Sequence, residues 1–205
     1  MLLPTKGQFR CDMPSWRKVV GDSKTLSSLI KKSGYDPNIV VAICRGGLVP
    51  ARLVCDFLHI KDLTTIKVEH WGMVGTPNEK AVIKFPLYVD IKDKRVLLVD
   101  DITDTGDTLR VSLEHLKKFE PKEIRTAVLI HKIISAFLPD YYVRKITQWR
   151  WVIFPWHIWE DLTLLIKNMK AIGICCEEDI RRELKSKYNI EVQSEIIKEI
   201  LSEIK

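Results

Sequence analysis

The sequence predicts an α/β fold, with a mainly parallel β-sheet flanked by helices and a C-terminal extension of three helices. The apolar run Val96–Val99 is bounded by charged and turn residues, which is typical of a strand covered on both faces, as in a parallel sheet. Similar short runs alternate along the chain with segments whose apolar residues recur at helical spacing. Residues 160–205 contain three such helical stripes and no strand pattern.

The predicted elements end at residues that disfavour their continuation. Gly34 and Pro37 follow the first helix, and Pro121 follows the helix after the central strand. The strands are predicted at residues 38–43, 63–69, 84–89, 96–99 and 124–130. The helices are predicted at residues 14–32, 50–58, 107–119, 162–172, 177–187 and 192–204.

Composition and charge limit the function classes. Hydrophobic residues make up 46% and charged residues 29% of the 205 residues, and no apolar run reaches transmembrane length. The N-terminus lacks the apolar core of a signal peptide, and five cysteines without a C-x-x-C pair fit reduced thiols, so we expect a cytoplasmic protein that does not bind a membrane. The net charge is +6, but residues 160–205 hold eight basic and ten acidic residues. The positive excess in residues 1–159 suits a polyanionic small substrate or nucleic acid.

The stretch from Arg95 to Leu109 carries the strongest site pattern. A buried strand delivers two acids, Asp100 and Asp101, to its end, and a turn containing Gly106 leads into a helix. Ligands of open α/β sheets bind at the carboxyl ends of strands, and the free N–H groups at a helix start attract anions. Two carboxylates beside such a phosphate site suit sugar hydroxyls or Mg²⁺. A simpler interpretation is a strand followed by an acidic, helix-capping loop.

Other site patterns are absent or differently placed. The sequence has neither a P-loop nor a G-x-G-x-x-G motif, and a calcium loop counted from Asp101 would put Ser112 where a Glu is needed.

Arg45, Gly46 and Gly47 follow the strand at residues 38–43. A cation and two glycines let backbone amides approach an anion closely, although a plain glycine-rich turn has the same appearance.

The stretch at residues 95–109 resembles the phosphoribosyl-pyrophosphate (PRPP) motif of the type I phosphoribosyltransferases. Residues 44–51 resemble the pyrophosphate-binding loop of the xanthine-guanine and hypoxanthine enzymes, in which the bond corresponding to Cys44–Arg45 is often cis. The resemblance implies transfer of ribose 5-phosphate from PRPP to a purine, which gives a purine nucleotide and pyrophosphate. It also implies the type I phosphoribosyltransferase fold, a Mg²⁺ cofactor and a homodimer.

The resemblance assigns a role to each motif residue. Asp104 is the candidate catalytic acid or base toward purine N7. The 5′-phosphate would be held by Asp104, Thr105, Gly106, Asp107 through its backbone N–H, and Thr108. The ribose hydroxyls and Mg²⁺ would be held by Asp100 and Asp101, and pyrophosphate by Arg45, Gly46 and Gly47. Because the family often has Lys or Gly at position 107, we expect the Asp107 side chain to point away from the phosphate.

Three segments are assigned to substrate closure and base recognition. Residues 70–83 resemble the loop that closes over the sugar, with His70-Trp71 in place of the usual Ser-Tyr and with Lys80 and Lys84 as candidate phosphate contacts. Lys132 would contact the purine edge. Residues 140–157 are rich in aromatic side chains and serve either as a hydrophobic cap or as a base-stacking platform, in which Trp151 stacks on the base and Val152 reads its edge.

The same comparison shows one departure from the family. His157 occupies the position where an acid usually binds metal, with Glu160 or Asp161 as substitutes.

We expect residues 1–157 to form the phosphoribosyltransferase domain, with a nucleobase hood at about 132–157, and residues 158–205 to form a small helical bundle. The bundle resembles that of the crenarchaeal adenine phosphoribosyltransferase, which favours adenine as the base and AMP as the product. Lys132 favours a 6-oxopurine (hypoxanthine, guanine or xanthine) instead, because an ammonium only donates hydrogen bonds. A non-catalytic PRPP-binding regulator is the third hypothesis, although the acidic C-terminal module argues against a nucleic-acid partner.

Overall fold

The computed structural model describes residues 9–69 and 81–204. These residues fall into two compact units, which are considered separately. The larger unit comprises residues 17–69 and 81–148, and the smaller unit comprises residues 9–16 and 149–204. The predicted closing loop therefore lies largely outside the described residues, together with His70, Trp71 and Lys80.

Strands and helices are interspersed up to residue 152, and the elements after it are helical. The strands are β1 (Cys11–Asp12), β2 (Ile39–Cys44), β3 (Leu63–Glu69), β4 (Val82–Phe85), β5 (Arg95–Thr103), β6 (Glu123–Lys132), β7 (Tyr141–Ile146) and β8 (Trp151–Val152). The helices are α1 (Trp16–Lys32), α2 (Leu48–Leu58), α3 (Asp107–Lys117), α4 (Ile158–Ala171), α5 (Glu177–Tyr188) and α6 (Ser194–Glu203).

The larger unit is built on a six-stranded sheet with the order β4-β3-β2-β5-β6-β7. Every neighbouring pair is parallel except β3 and β4. The carboxyl ends of β2, β5 and β6 therefore meet at one edge of the sheet, where the predicted site residues follow the strands. The predicted fold class, a mainly parallel sheet flanked by helices, is confirmed.

Successive side chains of the central strands point to opposite faces of the sheet, and both faces are buried. Ile39, Val41 and Ile43 of β2 share a hydrophobic cluster with Leu109 and Leu116 of α3. The intervening residues of β2 are also buried, as expected for a strand covered on both faces. This packing fixes α3 on the sheet and so fixes the turn that precedes it.

Two strands of the six-stranded sheet, β4 and β7, are placed where the sequence did not predict them. The strand predicted at residues 84–89 is instead β4, because Pro86 cannot donate the next backbone hydrogen bond and Val82 and Ile83 pair with β3. The aromatic segment at residues 140–157 contains an unpredicted strand, β7, which pairs in parallel with β6. Asp140, which directly precedes β7, is bound to β6, since its carboxylate accepts hydrogen bonds from the backbone N–H and the hydroxyl of Thr126.

The smaller unit joins the chain's first described residues to its last helices. Strand β1 pairs in parallel with β8, and the three C-terminal helices share one hydrophobic cluster with Cys11 and Ile153. Residues 149–157 thus belong to the same compact unit as the helices. From the sequence, we assigned them to the phosphoribosyltransferase domain, and that assignment stays a prediction. Among the described residues, no helix is long and apolar enough to cross a membrane.

Candidate active site

The acid pair of β5 lies at the carboxyl edge of the sheet. Asp100 and Asp101 are buried, and the backbone N–H of Asp101 donates a 3.0 Å hydrogen bond to Oδ1 of Asp100. Burial raises the pKa of Asp100 well above its ordinary value, and the neighbouring Asp101 carboxylate raises it further. The pair therefore resists carrying two negative charges, and a nearby cation would stabilise its ionised form.

The loop after β2 passes directly against this acid pair. The peptide bond between Cys44 and Arg45 is cis, as the resemblance implies, and Gly47 precedes the first residue of α2. A Cβ atom at Gly46 would overlap the carboxylate of Asp101, and one at Gly47 would lie 2.7 Å from the carbonyl oxygen of Ile43. At Gly47 the clash is with backbone atoms, so only glycine fits there, whereas a side chain at Gly46 would force the Asp101 carboxylate to move. The structure thus brings two predicted sites together.

The turn between β5 and α3 has the geometry of an anion cradle. Gly106 has a φ of +92° and directly precedes α3, and the positive end of the helix dipole at this point favours an anion. A Cβ atom here would lie 2.7 Å from Oγ of Ser135 and 2.9 Å from the backbone nitrogen of Phe137. The backbone N–H of Ala136 also donates to the carbonyl of Thr105 at 3.0 Å. The segment after β6 therefore holds the cradle in place.

Asp107 does not point away from the cradle as expected. Its Oδ1 accepts a 2.8 Å hydrogen bond from Arg110, one turn further along α3, while its Oδ2 accepts a 3.0 Å bond from the hydroxyl of Thr105. Short polar side chains two residues apart at a helix start readily form such local bonds. The expectation that the Asp107 side chain points away was wrong for Oδ2. This oxygen is hydrogen-bonded to the Thr105 hydroxyl, which is predicted to bind phosphate.

Lys132 and Asp104 form an ion pair at the end of β6. The Nζ atom of Lys132 lies 2.8 Å from Oδ2 of Asp104, and the Lys132 side chain is only 2% exposed. Burial lowers the pKa of Lys132, while the Asp104 carboxylate opposes that shift. The structure thus joins the predicted catalytic residue to a predicted nucleobase residue, 28 positions away in the chain.

The remaining nucleobase candidates, Trp151 and Val152, form β8 in the smaller unit. Trp151 packs against that unit's hydrophobic cluster, and its indole influences the carboxyl of Asp161 in the first turn of α4. Burial raises the pKa of Asp161 to about 6, and the nearby indole of Trp151 only partly offsets this rise. Asp161 is thus buried and its ionised form is disfavoured, which argues against it as the substitute metal ligand.

Lys84 and the metal candidates complete the placement of the predicted residues. Lys84 lies on β4 with its Nζ 2.6 Å from a carboxylate oxygen of Glu69. Within residues 9–69 and 81–204, no group of three or more His, Cys, Asp or Glu side chains is arranged to hold a metal ion. Asp100 and Asp101 could still hold Mg²⁺ as a pair, because this ion commonly takes one or two protein carboxylates and completes its coordination with substrate phosphates and water.

Sequence reasoning missed Arg110 and gave Asp161 a different role. Arg110 stands three positions after Asp107, a spacing at which opposite charges meet on a helix, so the signal was present. Asp161 was considered only as a metal ligand, because its burial against Trp151 depends on contacts that no local pattern records.

Comparisons with known proteins agree with this geometry. A family model for the phosphoribosyl transferase domain matches residues 15–160. The chain belongs to the phosphoribosyl transferase family. The predicted enzyme class, a glycosyltransferase of the phosphoribosyltransferase type, is therefore confirmed, and residues 161–204 lie outside the matched region.

The alignments with individual relatives cover most of each relative's length. The xanthine-guanine phosphoribosyltransferase of Nitratidesulfovibrio vulgaris (strain DP4) is 30% identical over 156 residues, which cover 75% of this chain and 90% of the relative. The enzyme of the same name from Cereibacter sphaeroides is 33% identical over 148 residues, covering 69% and 84%. The crystal structure of a purine phosphoribosyltransferase from Pyrococcus horikoshii Ot3 matches with 37% identity and a TM-score of 0.62, covering 71% of this chain and 93% of that one.

Replacement of Gly106 by alanine should destabilise the larger unit more than the same change at Gly34. Both glycines have positive φ, but only Gly106 is crowded, since nothing lies within 4 Å of a Cβ at Gly34. The backbone cost is about 1–2 kcal/mol at either site, and crowding adds about 1–3 kcal/mol at Gly106. Chemical denaturation of Gly106→Ala and Gly34→Ala measures the difference, and equal losses would contradict the packing described around the cradle.

Asp161→Asn should make the protein more stable at neutral pH. Folding raises the pKa of Asp161 from 3.8 to about 6, so the stability that this group contributes is present below pH 4 and lost as the pH rises to about 6. The loss is up to about 3 kcal/mol for a shift of roughly two units. Unfolding free energies between pH 4 and pH 8 should therefore diverge in favour of Asp161→Asn.

The control for this pH series is Glu203→Gln, which removes an exposed carboxylate from the same unit and should follow the wild-type curve. Parallel curves for Asp161→Asn and wild type would show that the Asp161 carboxyl is not held in a costly environment.

Proposed function

We propose that this chain transfers ribose 5-phosphate from PRPP to a 6-oxopurine, namely xanthine, guanine or hypoxanthine, and so serves purine salvage. The observation that carries the proposal is the buried ammonium of Lys132, held 2.8 Å from the Asp104 carboxylate at the carboxyl edge of the sheet. The names of the relatives support the substrate class, since they include xanthine-guanine and purine phosphoribosyltransferases.

The chemistry of Lys132 favours a 6-oxopurine over adenine. An ammonium group donates hydrogen bonds and accepts none, so it matches the carbonyl oxygen at C6 of guanine or hypoxanthine. The amino group of adenine is itself a donor and would face Lys132 without a partner. The adenine hypothesis depends on the three C-terminal helices, which lie almost entirely outside the region matched by the family model. We therefore put the 6-oxopurine first and keep adenine as the competing hypothesis.

PRPP is proposed to bind along the edge formed by β2 and β5. Its 5′-phosphate would lie on the N–H groups at the start of α3, with the hydroxyls of Thr105 and Thr108 as further donors. The ribose hydroxyls would bind the acid pair Asp100 and Asp101. Pyrophosphate would bind the loop of Arg45, Gly46 and Gly47, whose backbone already lies against Asp101.

The transfer forms the bond between purine N9 and ribose C1 and breaks the bond between C1 and the pyrophosphate oxygen. As the pyrophosphate leaves, C1 gains positive charge, so nearby carboxylates stabilise it and water must be excluded. Asp104 is proposed to accept the proton from purine N7 while Lys132 donates to the oxygen at C6. Base binding would thus replace the direct Lys132–Asp104 contact with two contacts to the purine.

Magnesium is proposed to bind beside Asp100 and Asp101. The donor set fits, because both causes that raise the pKa of Asp100, its burial and the adjacent carboxylate, are relieved by a nearby divalent cation. When bound, the ion would neutralise charge on the leaving pyrophosphate. Stacking of Trp151 on the base, reading of its edge by Val152, and a homodimeric state remain part of the proposal.

The direct experiment is pyrophosphate release with Mg²⁺ and PRPP, with xanthine, guanine, hypoxanthine or adenine added singly. The proposal expects turnover with at least one 6-oxopurine and at least a tenfold lower kcat/KM for adenine. Preference for adenine would restore the competing hypothesis. Binding of PRPP without turnover of any base would favour the non-catalytic regulator.

Asp104→Asn should lower kcat by roughly 10²–10⁴ while the KM for PRPP stays near the wild-type value, because the amide cannot accept the proton. Steady-state kinetics with saturating hypoxanthine or guanine measure this. Asp62→Asn, at an exposed position before β3, is the matched control. Turnover close to wild type in Asp104→Asn would remove Asp104 from the chemistry.

Lys132→Met should lower kcat/KM for the 6-oxopurines by about 10- to 100-fold, the value of a hydrogen bond from a charged donor, and should leave any activity with adenine unchanged or raised. Methionine keeps most of the buried volume, and Lys145→Met, at an exposed position of β7, controls for loss of a lysine. An equal loss with all four bases would show that Lys132 does not select the base.

A further inference from the structure

Asp107 places a negative charge inside a cradle that is proposed to bind a phosphate. The residue begins α3, and its backbone N–H lies 3.3 Å from the hydroxyl oxygen of Thr105. Its carboxylate in turn accepts from that hydroxyl through Oδ2 at 3.0 Å. The same Thr105 hydroxyl cannot donate to a phosphate and to Asp107 simultaneously, because a hydroxyl has one proton.

Arg110 binds the other oxygen of the same carboxylate. Its Nη2 atom lies 2.8 Å from Oδ1 of Asp107, along the exposed flank of α3, and its Nη1 atom lies 3.8 Å from Glu114 in the next turn. The three side chains of Thr105, Asp107 and Arg110 therefore form a continuous chain of hydrogen bonds from the cradle to the helix flank. A carboxylate that turns fully toward Arg110 releases the Thr105 hydroxyl.

We infer that Arg110 is a positioning residue for PRPP binding: it draws the Asp107 carboxylate to the flank of α3, so that the Thr105 hydroxyl and the α3 N–H groups can bind the 5′-phosphate. The inference rests on the proposed function, since it assigns the cradle to that phosphate. Because the carboxylate contacts both side chains in the structure, the phosphate must displace Oδ2 of Asp107 from Thr105. Without Arg110 nothing would hold the carboxylate aside, and it would repel the phosphate. With Arg110, the two side chains are together neutral.

An ordinary surface ion pair would have a different signature. Exposed pairs three or four residues apart contribute little to stability, and the Arg110 side chain is 58% exposed. Loss of such a pair would slightly lower the melting temperature and leave substrate binding alone. A positioning role predicts that the effect appears in the KM for PRPP and that it disappears when Asp107 loses its charge.

The test compares Arg110→Gln, Asp107→Asn, the double variant and Glu114→Gln. We expect Arg110→Gln to raise the KM for PRPP about tenfold with kcat within twofold of wild type, and the double variant to return that KM to within about threefold of wild type. Glu114→Gln removes the other carboxylate near Arg110 and should leave both constants unchanged. An unchanged KM in Arg110→Gln, or a double variant as impaired as the single one, would overturn the inference.

Calorimetric titration with ribose 5-phosphate separates this inference from the proposed reaction, because it needs the cradle and no turnover. Weaker binding to Arg110→Gln that Asp107→Asn restores would support the positioning role even if the wild-type protein released no pyrophosphate with any base. Equal binding to wild type and Arg110→Gln, or no binding to the wild-type protein, would overturn it whatever the kinetic result.

Discussion

The candidate site depends on the buried ion pair between Lys132 and Asp104. A lysine that is only 2% exposed requires a charged partner, because an unpaired buried ammonium would lose its solvation without compensation. The partner belongs to the turn after β5, so the pair ties the end of β6 to the loop that holds the phosphate cradle. One contact thus positions the group proposed to read the purine and the group proposed to take its proton.

Close backbone packing then determines where ligands can bind. Gly46 brings the loop after β2 against the carboxylate of Asp101, and Gly106 lets the turn before α3 fit beneath Ser135 and Phe137. In both places a Cβ atom would collide with these neighbours, so a side chain would force the backbone away from them. The edge of the sheet therefore presents a short row of donors next to two buried acids, which suits a sugar carrying phosphates at both ends.

The sequence predicted the local parts of this arrangement well. The bounds of β3 match the prediction, and the glycines and acids occupy the strand ends where the motifs placed them. Contacts between distant segments were not predictable: no spacing rule links Asp104 to Lys132 across 28 positions, and the aromatic composition of residues 140–157 concealed β7. The Asp107 side chain was misjudged because the charge argument ignored a hydroxyl two residues away.

The three C-terminal helices carry their own hydrophobic cluster and lie almost entirely beyond the matched family region, so they give no reason to choose between adenine and an oxopurine. The choice depends on Lys132. The most direct measurement is the distance from Lys132 Nζ to the C6 oxygen of guanosine 5′-monophosphate in a crystal structure of the complex. The account predicts a hydrogen bond of about 3 Å, with the Asp104 carboxylate facing N7. A purine bound elsewhere, with Lys132 still paired only to Asp104, would contradict it.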